Sequence, residues 1–238
     1  MVTASGKNQE KLYEMIKNSK LVVFSIKDLC LLLDIEKTKA YNLIKELKNK
    51  NRIKKLGKSK FALSEKNELE IASELNFPSY ISFWTALNYY GFSDNTPKKI
   101  FIATTKYRKD IEDFKYITLS KKRFFGYTSF KNIVIAKKEK AFIDSLLFPK
   151  YSGGIKEIKY CLKNAINEID LKELIDYAIK IKSKAVKRRL GYLLESLDIN
   201  EKKLERLKKN IGKGYELLDP GLDKKNKFNK KWLLDINI

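Results

Sequence analysis

The feature that most restricts the fold of this chain is a change of hydrophobic period near residue 50. Between Glu36 and Lys50, Ala40, Leu43, Ile44 and Leu47 recur at spacings of 3, 4 and 7, the stripe of an amphipathic helix. Immediately afterwards, Arg52 to Leu56 and Lys60 to Leu63 form two short runs around Gly57-Lys58-Ser59, the pattern of a β-hairpin. Upstream, Leu12, Tyr13 and Ile16 place a first helix over about residues 8–17. Ser25, with Asp28 three residues on, precedes Ile26, Leu29, Cys30 and Leu33 and predicts an N-capped second helix. Only Asp34-Ile35 separates the second helix from the third. Helix, helix, tight turn, helix and hairpin is a helix-turn-helix order with a hairpin appended.

The charge falls on the same segment. From Lys45 to Lys60 there are eight cations and one acid, Glu46, whereas a merely solvated face mixes signs. Over all 238 residues, 51 Lys and Arg stand against 29 Asp and Glu, a net charge of +22. The cations outnumber the acids 16 to 7 in residues 1–66, 14 to 9 in 67–150 and 21 to 13 in 151–238. Only six of the cations are Arg and the chain is rich in Lys, Asn and Ile, so a compositional bias contributes and the distribution carries the information.

At roughly 100° per residue, the helical face opposite Ala40, Leu43, Ile44 and Leu47 presents Thr38, Asn42, Lys45 and Asn49, with Tyr41 to one side. Asn42 suits adenine N6 and N7, Thr38 a base edge or a thymine methyl, and Lys37, Lys39 and Lys45 phosphate or guanine. Asn49, at the helix end, suits a phosphate as well as a base. Arg52, Lys54, Lys58 and Lys60, on or beside the hairpin, complete the candidate DNA contacts as phosphate ligands. Without Arg on the helix, reading of G·C pairs is weak and A·T-rich double-stranded DNA is expected. The stretch LCLLLDIEKTKAYNLIKELKNKNRIKKLGKSKFALS resembles the winged helix-turn-helix family over about residues 8–64. That resemblance implies a third helix in the major groove and a hairpin wing along the backbone. A plainer reading is a charged helical unit that meets only proteins.

Beyond residue 66 the chain has enough apolar and aromatic residues to bury a second core. Glu65 to Leu75 reads as a connecting helix. SYISFWTALNYYGF reads as a helix capped by Ser79 and stopped by Gly91, with Trp84, Tyr89, Tyr90 and Phe92 in the core. Strand-like runs follow at Lys99–Thr104, Phe114–Leu119 and Asn132–Ala136. KKEKAFIDSLLFP reads as a helix whose Glu139, Lys140 and Asp144 form a solvated ion-pair face. Helices over about 155–167, 170–183 and 184–197 and a late strand at Trp232-Leu233-Leu234 complete the chain. The cations from Lys180 to Arg189 read as a solvent-facing helix, with Lys184, Lys187, Arg188 and Arg189 as candidate secondary phosphate contacts. The expected fold class is α+β: a winged helix-turn-helix domain over 1–66, then a second domain over 67–238, mixed α/β to about 150 and mainly helical from 151.

Much chemistry is excluded. There is no His, hence no histidine base, triad or imidazole metal ligand. Cys30 and Cys161 lie far apart in apolar runs and read as core residues. Gly153-Gly154 lacks a phosphate-loop spacing, Glu139 and Asp144, five residues apart, are poorly spaced for paired-carboxylate catalysis, and Asp110, Glu112 and Asp113 sit in a lysine-flanked turn. The expectation is no catalytic residue, no metal, no cofactor and no enzymatic activity. An amino-terminal segment without an apolar core, and no apolar run near the roughly 18 residues of a membrane span, predict a cytoplasmic protein without a membrane partner.

Along nearly the whole chain, the winged-helix segment, PSYISFWTALNYYGF, strands ending in FFG, IAKKEKAFIDSLLFP and an LDP…W terminus resemble the AbiEi-type antitoxins of type IV toxin-antitoxin systems. The resemblance implies an amino-terminal domain that represses its own operon and a carboxy-terminal domain that counteracts a nucleotidyltransferase toxin. A second reading of the same order is a ligand-responsive winged-helix transcription factor with no toxin partner, which requires an apolar pocket in the second domain.

Overall fold

Residues 4–107, 110–209 and 211–238 are described by a computed structural model, with side chains from Glu10 onward in the first helix. They fall into two units, the first ending at Phe77 and the second beginning at Pro78, with Asp110–Glu112 grouped with the first. The first unit runs α1 (Ala4–Asn18), α2 (Ile26–Leu33), α3 (Lys37–Asn49), β1 (Ile53–Leu56), β2 (Lys60–Leu63) and α4 (Glu68–Leu75).

Its local signals act as expected. Ser25 Oγ accepts from the Asp28 N–H while the Asp28 carboxylate accepts from the Ser25 N–H, a reciprocal cap on α2. Asp34, at φ 49°, ends that helix and turns the chain into α3. β1 and β2 pair antiparallel with Ile53 opposite Leu63, and Gly57, at φ +68°, supplies the left-handed residue of the turn. Ile16, Phe24, Leu29, Ala40, Leu43, Ile44, Leu47, Phe61 and Leu63 form one core. Truncating one of its Leu or Ile residues to Ala would cost about 2–5 kcal/mol.

The unit boundary lies later than residue 66, because α4 packs with what precedes it. Ile71, Ala72 and Leu75 are buried. Lys54 pairs with Glu68 at 3.2 Å, and Lys60 Nζ donates to the Leu75 carbonyl at 3.1 Å.

The second unit holds a five-stranded mixed sheet. In chain order its elements are β3 (Ser79–Ile81), α5 (Phe83–Tyr89), β4 (Ile100–Thr104), β5 (Phe114–Thr118), β6 (Tyr127–Phe130) and β7 (Ile133–Ala136). The strand order is β5-β4-β3-β7-β6, with β3 antiparallel to β4 and parallel to β7. Ser79 therefore caps no helix. Residues 79–81 are the central strand, buried throughout, and Ser82 takes the N-cap position of a helix that starts at Phe83. Two flanking strands, distant in sequence, satisfy the backbone of this segment better than a helical turn would, which leaves helix propensity to act only beyond it. The expected stop at Gly91, φ +76°, is present. Phe92 is buried, but Trp84 and Tyr90 are half-buried and Tyr89 is exposed.

Besides two 3-10 turns at Lys121–Arg123 and Pro149–Tyr151, the remaining elements are α6 (Lys138–Leu147), α7 (Gly154–Ala165), α8 (Leu171–Lys180), α9 (Lys184–Glu195), α10 (Glu201–Lys208) and three two-residue strands, β8 (Glu216–Leu217), β9 (Phe228–Asn229) and β10 (Leu234–Asp235). α6 packs against α5, α8 and α9, and the short strands form a separate sheet in the order β8-β10-β9. Trp232 is fully buried against α9, where only glycine fits: a Cβ at Gly191 would lie 2.1 Å from its ring. The fold is α+β, and no described helix is long and apolar enough to cross a membrane.

Candidate nucleic-acid interface

Helix α3 is divided as its period requires. Ala40, Leu43, Ile44 and Leu47 are buried, while Lys37, Thr38, Lys39, Tyr41, Asn42, Lys45 and Asn49 are exposed. The structure thus brings the helical candidates together on one solvent-facing surface. Among the described residues, no ion pair or hydrogen bond engages the ammonium groups of Lys37, Lys39, Lys45 or Lys58. Beside this surface, Lys37 and Tyr41 join Ser25, Lys27, Cys30 and Ser59 around a cavity of about 460 Å³ that also touches Ile26. Cys30 is half-buried rather than a full core residue.

The hairpin candidates fare differently. Lys58 is exposed in the turn. Arg52, expected on a phosphate, instead donates to both Glu10 carboxylate oxygens at 2.8 Å, and its guanidinium lies 4.5 Å from the centre of the Tyr13 ring. Donating to the Glu10 carboxylate raises the pKa of Arg52 further, so its charge is committed to bracing α1 against the base of the hairpin. Lys54 and Lys60, held by Glu68 and the Leu75 carbonyl, are likewise half-buried and engaged within the unit. Lys55, exposed on β1, was absent from the sequence-based set although its position between Ile53 and Leu56 marks it as a hairpin cation.

In the second unit, the face of α6 expected in solvent is buried. Lys140 and Asp144 are fully enclosed and paired with each other, and Glu139 is nearly so. Tyr80 Oη and Ser82 Oγ donate to Asp144 Oδ2 at 3.0 and 2.8 Å, and Lys140 Nζ also donates to Tyr80 Oη at 3.0 Å. The Lys140 ammonium lies 4.9 Å from the Phe125 ring centre. Burial lowers the pKa of Lys140, with Asp144 opposing, and burial followed by the Asp144 charge raises Tyr80 well above the ordinary phenol range. Glu139 accepts the Asp170 N–H at 3.0 Å. These groups tie β3 and the start of α8 to α6, and each polar atom named has a partner.

The basic cluster on α9, expected in solvent, is partly buried. Arg188 is fully buried and donates to the carbonyls of Ile211, Lys213 and Leu233. Arg189 is buried and donates to those of Leu146, Leu217 and Leu218, with burial lowering its pKa. Neither guanidinium is available to a phosphate. Both are spent on carbonyls that neighbouring segments bring into the interior. Arg189 follows Val186 by three residues and precedes Leu193 by four, on the apolar stripe of α9, a signal that marked it as inward-facing. Lys187 donates to the Lys209 carbonyl at 2.8 Å, and Lys184 is exposed. Cys161 is buried as expected, and burial pushes its thiol up to about 12.

No family model and no curated protein matches this chain. Among solved structures, it is similar to the RV2827C protein from Mycobacterium tuberculosis, with a TM-score of 0.67, 94% of this chain and 89% of that chain covered, and 13% sequence identity. At that identity the likeness establishes a shared α+β fold.

Proposed function

We propose that the first unit is a winged helix-turn-helix that binds A·T-rich duplex DNA, with α3 in the major groove and the β1–β2 hairpin along the phosphates, and that the protein acts as a repressor in the cytoplasm. The observation that carries this reading is the exposed face of α3, where Thr38, Asn42 and Asn49 stand among lysines with no counter-ion of their own among the described residues. Polar groups at the centre and unpaired cations around them match the division between base reading and phosphate positioning.

The engaged cations change the expected contacts. With Lys37, Lys39, Lys45, Lys55 and Lys58 as phosphate ligands, the log-log dependence of affinity on salt should have a slope of about −4 to −5. Replacing Lys45 and Lys58 together by Ala should flatten that slope by about 2. Asn42→Ala should relax sequence preference and leave the slope unchanged. Arg52→Ala should leave the slope unchanged and lower the stability of the first unit. A slope that ignores Lys45 and Lys58, measured by fluorescence anisotropy on an A·T-rich duplex, would overturn the assignment.

We further infer that the second unit counteracts a nucleotidyltransferase toxin. The support for this is the resemblance of PSYISFWTALNYYGF and KEKAFID to AbiEi-type antitoxins. Its test is a search of the adjacent genes for a toxic nucleotidyltransferase and its co-expression with the 238-residue chain; no such neighbour, or undiminished toxicity, would refute it.

A further inference from the structure

The loop of residues 211–214 is held from the inside by Arg188. The guanidinium donates to the Ile211 carbonyl at 2.6 Å and 3.0 Å through two of its nitrogens, and to the Lys213 carbonyl at 3.4 Å. In a trans peptide the carbonyl and the following N–H point in opposite directions. Two inward carbonyls therefore turn the N–H groups of Gly212 and Gly214 outward, away from the buried charge. Gly212 and Gly214 have φ of +85° and +75°, and Lys213 between them is not among the positive-φ residues, so the handedness alternates from Gly212 to Gly214. Such alternation makes neighbouring N–H groups converge into an anion-binding concavity. Neither N–H donates to any described residue.

Cations gather around the same loop. Lys184, Lys208 and Lys213 line a cavity of about 410 Å³ with Ile211 and Gly212. Lys184 Nζ lies only 2.9 Å from where a Cβ on Gly212 would stand, so its ammonium rests against the loop. Lys208 has a counter-ion, Glu201 at 2.6 Å, but Lys184 and Lys213 have none among the described residues. Lys187 adds to the crowding: burial and then the charge of Lys184 lower its pKa. The acid nearest Arg188, Glu216, lies 3.6 Å from that guanidinium and is already paired with it.

We propose that this cavity binds a phosphate-bearing anion, held by the N–H groups of Gly212 and Gly214 and the ammonium groups of Lys184 and Lys213. Arg188 is a positioning residue: it shapes the loop from beneath and does not touch the ligand. The ligand is either a free or terminal phosphate or a phosphodiester of a nucleic-acid backbone, and the two differ in charge and in the number of free oxygens. This site is independent of the DNA reading of the first unit.

The test is an amide NMR titration of the 238-residue chain at pH 7.5, with inorganic phosphate in one arm and dimethyl phosphate in the other. Saturable downfield shifts of the Gly212 and Gly214 amides with phosphate alone assign a terminal phosphate, and shifts with both assign a backbone phosphodiester. Lys184→Gln combined with Lys213→Gln should weaken binding roughly tenfold or more, while Lys163→Gln, which removes one exposed charge from α7, should not. No saturable shift in either arm overturns the proposal. So does an affinity that the double variant leaves intact, or one that Lys163→Gln weakens equally.

Discussion

Replacing Lys140 by Met should cost the second unit about 3–5 kcal/mol, the usual penalty for removing one partner of a buried ion pair. The structure explains why the cost falls in this range. Asp144 accepts from Lys140, Tyr80 and Ser82, and Lys140, Asp144, Tyr80 and Ser82 are all fully buried. The variant keeps the volume of the lysine stem, so little cavity forms, but the carboxylate is left with two neutral hydroxyl donors in a medium that solvates it poorly. At about 2–4 °C per kcal/mol for a unit of this size, the calorimetric transition should fall by roughly 6–20 °C. Adding Asp144→Asn should recover part of the loss, because a neutral amide still accepts from Tyr80 and Ser82 without stranding a charge. Asp144→Asn alone should cost less than Lys140→Met, since the lowered pKa of Lys140 lets the amine shed its proton. Its stability should rise toward alkaline pH, because below the ordinary value of 10.5 the unfolded amine binds the proton more tightly than the folded one. Urea and thermal unfolding followed by circular dichroism measure each variant. A loss below about 1 kcal/mol for Lys140→Met, or a double variant no better than the single, would refute the argument.

Three further outcomes follow from packing and charge. Gly191→Ala would drive a Cβ to 2.1–2.5 Å from the Trp232 ring and should lower stability in urea by about 1–3 kcal/mol or more, so an unchanged midpoint would contradict the close approach. Under native conditions iodoacetamide should alkylate half-buried Cys30 before Cys161, whose thiol is buried and pushed up to about 12; equal rates by mass spectrometry would contradict this. Hydrogen bonds from Lys208 and then Lys231 lower Glu201 from 4.5 to about 2, so its contribution is present above pH 4.5 and lost as the pH falls toward 2. Lys231 also pairs with Glu195, which accepts the Trp232 indole N–H, so Trp232 emission in a Trp84→Phe background should change across that window. A flat emission profile there would refute the linkage.

Legibility from sequence tracked the range of the interactions involved. The cap at Ser25 and Asp28, the turn at Asp34 and the stripe of α3 were all readable, because each depends on residues within a few positions of one another. The central strand β3 was not. Tyr80 and Ile81 fit either a helix or a strand locally, and the deciding partners, Ala103, Ile102 and Ile135, come from later segments. The same limit hid β6, all of whose residues are exposed and which therefore shows no buried alternation. Lys140 and Asp144 illustrate it in charge: an i, i+4 pair has one spacing whether it faces water or lies under a sheet.

By itself the sequence determined the local periods, the concentration of cations between Lys45 and Lys60, and the absence of histidine chemistry. Only the tertiary structure decided which cations remain available. Arg52 finds Glu10 across 42 residues, and Arg188 and Arg189 find carbonyls 23 to 45 residues away, in segments the chain must fold to bring near. Lys37, Lys39, Lys45 and Lys58 meet no such partner among the described residues. The physical reason is that a charged side chain can be buried only where distant groups replace its water, and the identity of those groups is a property of the fold.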